Sequence, residues 1–167
     1  MDAVKDHLET QFPAMITALN AEYNDEITLG TPVKTFLGMK SLKSIPAGDF
    51  PALYIFTPTG RDVIGEMTPG TTQVVIETEP LLAIGVLVME QDREALDPQL
   101  RRYCRALEEI LLTGMASLSD PLRGWILSTN EPWEWDIVSA AYSDSQDSPF
   151  VGDLTLTMRG WRMETRS

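Results

Sequence analysis

Nine consecutive apolar residues, Leu81 to Met89, leave this chain few ways to fold. In an extended strand, Leu82, Ile84, Val86 and Val88 fall on one side and Leu81, Ala83, Leu87 and Met89 on the other. A strand apolar on both sides must be covered twice, by helices on one face and by something else on the other. The run is far short of the about 20 residues that a membrane-crossing helix needs. The opening residues, Met1 to Asp6, are acidic at once and lack a basic-then-apolar leader pattern.

The helices that could cover such a strand are legible on either side of it. Val4, Leu8, Phe12, Met15, Ile16 and Leu19 recur at three- and four-residue steps and predict a helix over 2–22. Pro13 is expected to kink it or to open a second helical piece, because it lacks an N–H and crowds the preceding turn. A second helix is expected from Asp97 as N-cap and Pro98 at the first position to Gly114 as a left-handed stop. Its buried stripe is Leu100, Tyr103, Cys104, Leu107, Ile110 and Leu111, while Arg101, Arg102, Arg105, Glu108 and Glu109 mark the solvated side. That arginine group reads as a partner for acidic neighbours or as a solvated face, since the chain as a whole is acidic.

Strands fill much of the remainder. Ala52 to Thr57 is β-branched and aromatic between Pro51 and Pro58. Residues 61–79, turning at Pro69-Gly70, predict a projecting hairpin, and Pro80 is expected to break it from the strand Leu81 to Glu90. Residues 24–50 hold Gly30, Pro32, Gly38, Pro46 and Gly48 and suit a weak strand with loops. Later come Trp125 to Ser128, Trp133 to Asp136, Ile137 to Tyr142, a linker over 143–149, and a half-buried strand over 150–163. The order predicts one α+β domain over 1–167, a mainly antiparallel β-sheet with two principal helices packed on one face and a protruding β-hairpin arm.

Chemistry has little to work with. One cysteine allows no internal disulfide, and with a single histidine the chain is poorly supplied for zinc. Cys104 lies on the apolar stripe and reads as a core thiol, while His7, between Asp6 and Glu9, reads as a solvated surface histidine. No phosphate-cradling glycine loop and no Gly-x-Ser-x-Gly elbow is present. Neither a metal nor a cofactor is expected. Glu131, Trp133, Glu134, Trp135 and Asp136 form the sharpest cluster, since paired acids beside aromatic rings occur in sugar-cleaving enzymes. In a strand, however, Glu134 and Asp136 share one face and Trp133, Trp135 and Ile137 the other. Asp144, Ser145 and Asp147 read as a polar turn.

Charge distribution carries more. The chain has 13 Lys and Arg against 25 Asp and Glu, a net −12. Between Asp120 and Met158 stand seven acids and one base, whereas Arg159, Arg162 and Arg166 reverse the sign near the end. An acidic body with a basic edge can associate head to tail, and simple solubility charge is the competing reading.

This succession resembles the tail terminator, or tail completion, proteins of long-tailed bacteriophages and related neck proteins. The pieces that carry the resemblance are the helix ending near Tyr23, the Pro51 to Phe56 strand, and the hairpin leading into Val74 to Glu90. They continue with the helix from Leu96-Asp97 to Leu112 and the closing strands Ile137 to Asp144 and Gly152 to Trp161. The resemblance implies a structural virion protein and no enzyme, assembled in the cytoplasm of the bacterial host. It implies a homo-oligomeric ring, usually of six subunits, that caps the head-proximal end of the tail tube, stops its growth and docks to the neck or head-tail connector. Genomic DNA would pass through the lumen without sequence-specific binding, and no membrane is involved. On that reading Val74, Ile76, Trp133, Trp135, Arg159, Trp161 and Arg162 are candidates for subunit or partner contacts. Glu131, Glu134, Asp136, Asp144 and Asp147 would form an acidic lumen or surface that repels phosphates. Another neck, connector or baseplate protein is the alternative, with a small carbohydrate-active enzyme using 131–136 as the reading from a different class.

Overall fold

A computed structural model describes residues 2–38, 44–57, 60–64, 74–116, 125–127 and 133–166. Among these residues two α-helices, α1 (Asp2–Tyr23) and α2 (Arg93–Ala116), accompany seven strands. These are β1 (Lys34–Leu37), β2 (Ala52–Phe56), β3 (Gly60–Ile64), β4 (Val74–Glu90), β5 (Trp125–Leu127), β6 (Glu134–Ala141) and β7 (Phe150–Arg166). The α+β class and the mostly antiparallel sheet agree with the sequence reading. The β1–β2 pair is the exception, because it runs parallel.

Strands β4 and β7, 17 residues each, pair with each other from Val74↔Arg166 to Glu90↔Phe150. Each would extend about 56 Å at 3.3 Å per residue, well beyond an ordinary strand. Their length creates two tiers. In the body the order is β1-β2-β4-β7-β6, and in the outer tier β3-β4-β7-β5. The expected break at Pro80 does not occur. The ladder to β7 skips only Glu79 and Pro80 and resumes at Leu81 in the same register, while on the other side of the strand Glu79 and Pro80 stand opposite Arg61 and Gly60 of β3.

Both faces of the body part of β4 are covered, as its composition demands. Leu82, Ile84, Val86 and Val88 join Leu53, Ile55, Leu154, Leu156 and Met158 under the helices, against Phe12, Ile16, Leu100 and Leu107. Burying each such side chain contributes about 1.5–3 kcal/mol, which makes this layer the main source of stability. On the far face Leu87 packs with Ala52, Tyr54 and Ile45, flanked by Phe36, Phe50 and Phe56. The second cover is therefore drawn from the 24–50 region. Tyr142 ties it down, donating its hydroxyl to the Ile45 carbonyl at 2.8 Å and meeting Phe50 edge to face.

Several local expectations are corrected. Helix α1 is a single piece through Pro13, so the proline does not open a second helix; it sits on the exposed side, where water can serve the carbonyl left unbonded. Helix α2 starts earlier than Asp97: Asp92 caps it, its carboxylate accepting the Glu94 N–H at 2.9 Å, and Asp97 instead accepts from Arg101 at 2.7 Å. Arg102 is not solvated. It is 9% exposed, grips Asp25 with both terminal nitrogens, donates to the Ile27 carbonyl at 3.0 Å and lies 4.1 Å over the Tyr23 ring. It pins the segment after α1 against α2.

His7 and Gly114 account for each other. His7 is buried and donates Nε2–H to the Ile110 carbonyl at 3.0 Å. Gly114 lies inside α2 instead of ending it, because a Cβ there would stand 2.6 Å from that ring nitrogen. Alanine usually favours a helix over glycine by about 1 kcal/mol, yet overpacking costs about 1–3 kcal/mol. Gly114→Ala should therefore lower stability in thermal melts, and the same change in a His7→Ala background should raise it. Equal effects in both backgrounds would contradict this packing.

Candidate assembly surface

Register across the body places the far face in rows. Phe56, Ala83, Thr157 and Glu134 form one row, Tyr54, Gly85, Thr155 and Asp136 the next, and Ala52, Leu87, Asp153 and Val138 the third. The face thus grades from apolar at β2 to acidic at β6. At its centre the Tyr54 ring lies over Gly85, and its hydroxyl is 2.5 Å from both Asp153 Oδ1 and Thr155 Oγ1. A phenol has one proton; it goes to the carboxylate, and the Thr155 hydroxyl donates back to the phenol oxygen. Burial, then the Asp153 charge, pushes the Tyr54 pKa up, so the phenol stays neutral.

Asp153 is raised above its ordinary 3.8, first by burial and further by the Asp136 charge, despite the opposing hydrogen bond from Tyr54. A carboxyl whose pKa rises on folding favours the fold most below its unfolded value, and that contribution is lost as pH climbs through the folded value. Asp153→Asn keeps an acceptor for Tyr54 and removes the charge. Its melting temperature relative to the parent should therefore climb as pH is taken from about 4 to neutrality. A difference that stays constant with pH would rule out burial of this charge.

The anticipated site residues are not gathered in one place. Trp133 and Ile137 pack against the helix-side core, and Trp135, 43% exposed, lies under Arg101 at 5.4 Å. Glu134 and Asp136 stand exposed on the opposite face of β6. The acids and rings therefore point apart, as strand alternation requires. Asp144 and Asp147 are exposed in the β6–β7 turn, closed by Tyr142 N–H to Pro149 O at 2.9 Å and Ser143 N–H to Ser148 Oγ at 2.8 Å. Glu131 lies outside the described residues.

Val74, Ile76, Trp161 and Arg162 belong to the outer tier. Ile76 stands opposite Ile64 and Glu164, Trp161 opposite Ile126, and Arg162 opposite Thr78 and Trp125. Arg159, opposite Leu81, marks the junction between tiers. The interface candidates thus divide between the β6 end of the body and the outer tier.

No constellation for covalent chemistry converges among the described residues. Burial pushes the Cys104 thiol up to about 12, with the nearby Glu108 charge adding to the shift. Such a thiol is inert. The described residues contain no group of three metal-ligating side chains and no helix long and apolar enough to cross a membrane. A cavity of about 370 Å³ opens between α2 and the end of β4, lined by Gly30, Phe50, Glu90, Gln99 and Tyr103. Its polar groups serve one another: Gln99 donates to Glu90 at 3.1 Å and Tyr103 to the Gly30 carbonyl at 2.5 Å.

Sequence reasoning missed the Tyr54–Asp153–Thr155 cluster. Its signal was Gly85, a glycine inside an otherwise unbroken apolar strand, which marks a close approach by another group. A scan against protein-family models finds no match for the chain, and a search of curated proteins finds no matching sequence.

Proposed function

We propose that this protein is a structural component of a bacteriophage virion that forms a ring, of six copies on the tail-terminator pattern, at the head-proximal end of the tail tube. There it stops tube growth and docks to the neck or connector. The observation that carries the reading is the two-tier sheet. Strands β4 and β7 run on from the helix-covered body into an outer tier with β3 and β5, and strand arms that extend past a body are suited to bridging neighbouring subunits or a tube end. The exposed acids Glu134, Asp136, Asp144 and Asp147 agree with a surface past which DNA slides without sticking. A sugar-cleaving site would need acids and rings on the same side, and those of β6 are on opposite faces.

The test is to add purified protein to polymerising tail-tube protein and image the products by negative stain. Tubes should stop growing with extra density at one end, and that density should be ring-shaped end on. Tubes that lengthen unchecked at a molar excess of the protein would defeat the proposal.

A further inference from the structure

Strands β2 and β4 separate at one end of the body. Their pairing stops at Ala52↔Leu87, yet β4 runs on to Glu90 beside β7. The space that β2 vacates is the cavity of about 370 Å³ between Phe50-Pro51, the end of β4 and α2. That volume is at the lower end of the ~300–1,000 Å³ that small-molecule sites occupy. It suits one compact group.

The lining is apolar with one charge. Phe50, Pro51, Met89 and Pro149 are partly buried walls, and among the described residues that line the cavity Glu90 alone is charged. Both Glu90 oxygens are held by neutral donors: Oε1 accepts the Gln91 N–H at 2.9 Å and Oε2 the Gln99 side-chain amide at 3.1 Å. These bonds fix the carboxylate without cancelling its charge. Among the described residues no lysine or arginine pairs with it, and nearby Arg93 lies over the Phe150 ring instead, 6.0 Å from its centroid. Tyr103 has committed its proton to the Gly30 carbonyl at 2.5 Å and keeps only acceptor capacity. The cavity therefore favours a ligand that brings both donors and positive charge.

The carboxylate narrows the class further. It offers about four acceptor positions, so about one remains free on each oxygen. Two parallel acceptors match the planar fork of a guanidinium, whereas an ammonium acts as a point charge. A guanidinium is also the more weakly hydrated cation, which lowers the cost of leaving water beside Phe50 and Pro51. We infer that this cavity binds a guanidinium carried on a short apolar stem, the fork on Glu90 and the stem along Phe50 and Pro51. The group can come from a free organic guanidine or from an arginine side chain of a partner protein. The cavity lies at the opposite end of β4 from the outer tier on which the tube-end reading rests, so either can fail without the other.

Isothermal titration calorimetry of the whole protein with butylguanidinium chloride tests the site, in about 0.15 M salt to screen the general attraction of an acidic chain for cations. One-to-one binding is expected. Butylurea, uncharged and of similar shape, should not bind, and butylammonium should bind at least about tenfold more weakly. Glu90→Gln keeps the side chain's size and should weaken binding at least about tenfold. Ala47→Trp, at an exposed position on the lining, should block entry without disturbing the core. Glu134→Gln removes an equal charge from β6, outside the cavity, and should leave the affinity unchanged. Circular dichroism and melting temperature verify the fold of each variant. The site is overturned by an absence of saturable heat, by butylurea or butylammonium binding as well as butylguanidinium, or by equal weakening from Glu90→Gln and Glu134→Gln. Full affinity in both Glu90→Gln and Ala47→Trp would overturn it as well. A titration with N-acetyl-arginine methylamide separates the two sources. Binding about tenfold tighter than butylguanidinium assigns the site to an arginine of a partner chain, and equal or weaker binding assigns it to a free guanidine.

Discussion

Gly85→Ala should be the most damaging single-methyl change in the described chain. A Cβ at this position would lie 1.9 Å from Tyr54 Cζ, 2.2 Å from Cε1 and 2.3 Å from the hydroxyl oxygen. The ring cannot slide aside cheaply, since Tyr54 is 5% exposed and anchored to Asp153 and Thr155. Overpacking ordinarily costs about 1–3 kcal/mol, but expelling a buried ring adds losses like those of a large-to-small change, so about 4 kcal/mol or more is expected. Against a typical total of about 5–15 kcal/mol, much of the protein would then unfold in mild denaturant. Urea titration reads the loss directly. Shortening the ring relieves the clash, so Gly85→Ala with Tyr54→Ala should be less destabilised than the two single losses summed, by about 1–3 kcal/mol of coupling. A Gly85→Ala protein that unfolds with the parent's midpoint would show that the ring does not occupy this place.

Tyr103→Ala comes next. The side chain is 1% exposed in the middle of α2, and its hydroxyl donates to the Gly30 carbonyl at 2.5 Å. Burial raises its pKa, keeping the phenol protonated as a donor. Truncation removes core packing worth about 3–5 kcal/mol. It also frees the 27–33 segment that delivers the chain to β1. Tyr103→Phe separates the two effects: it keeps the packing and loses a hydrogen bond worth about 0.5–1.5 kcal/mol. Denaturation midpoints of the two variants that coincide would mean that the ring contributes nothing beyond its hydroxyl.

Much of the body was legible because burial writes a period into sequence. The stripe from Val4 to Leu19 and the one from Leu100 to Leu111 are helical because each presents one face to a sheet. The strand at Leu82 to Val88 announced two covers and has two. Sequence also placed the acids and the tryptophans of 133–136 on opposite faces, since alternation along a strand depends on neither partner nor register. Local signals failed where a distant residue outvoted them. Asp97 and Gly114 both look like helix termini, yet Asp92 caps the helix and the His7 ring fills the space beside Gly114. His7 and Arg102 look solvated from their neighbours in sequence and are buried by partners far along the chain, Ile110 and Asp25.

By itself, then, the order of residues determined the α+β class, the two helices, the strands of the body and a local excess of acids between Asp120 and Met158. Those properties follow from periodicity and composition, which are local. Only the tertiary structure decided that β4 and β7 run unbroken through two tiers and that β1 joins the sheet in parallel. Strand order and register are set by contacts between residues 18 to 92 positions apart, too far for a local window of sequence to hold both halves of such a contact.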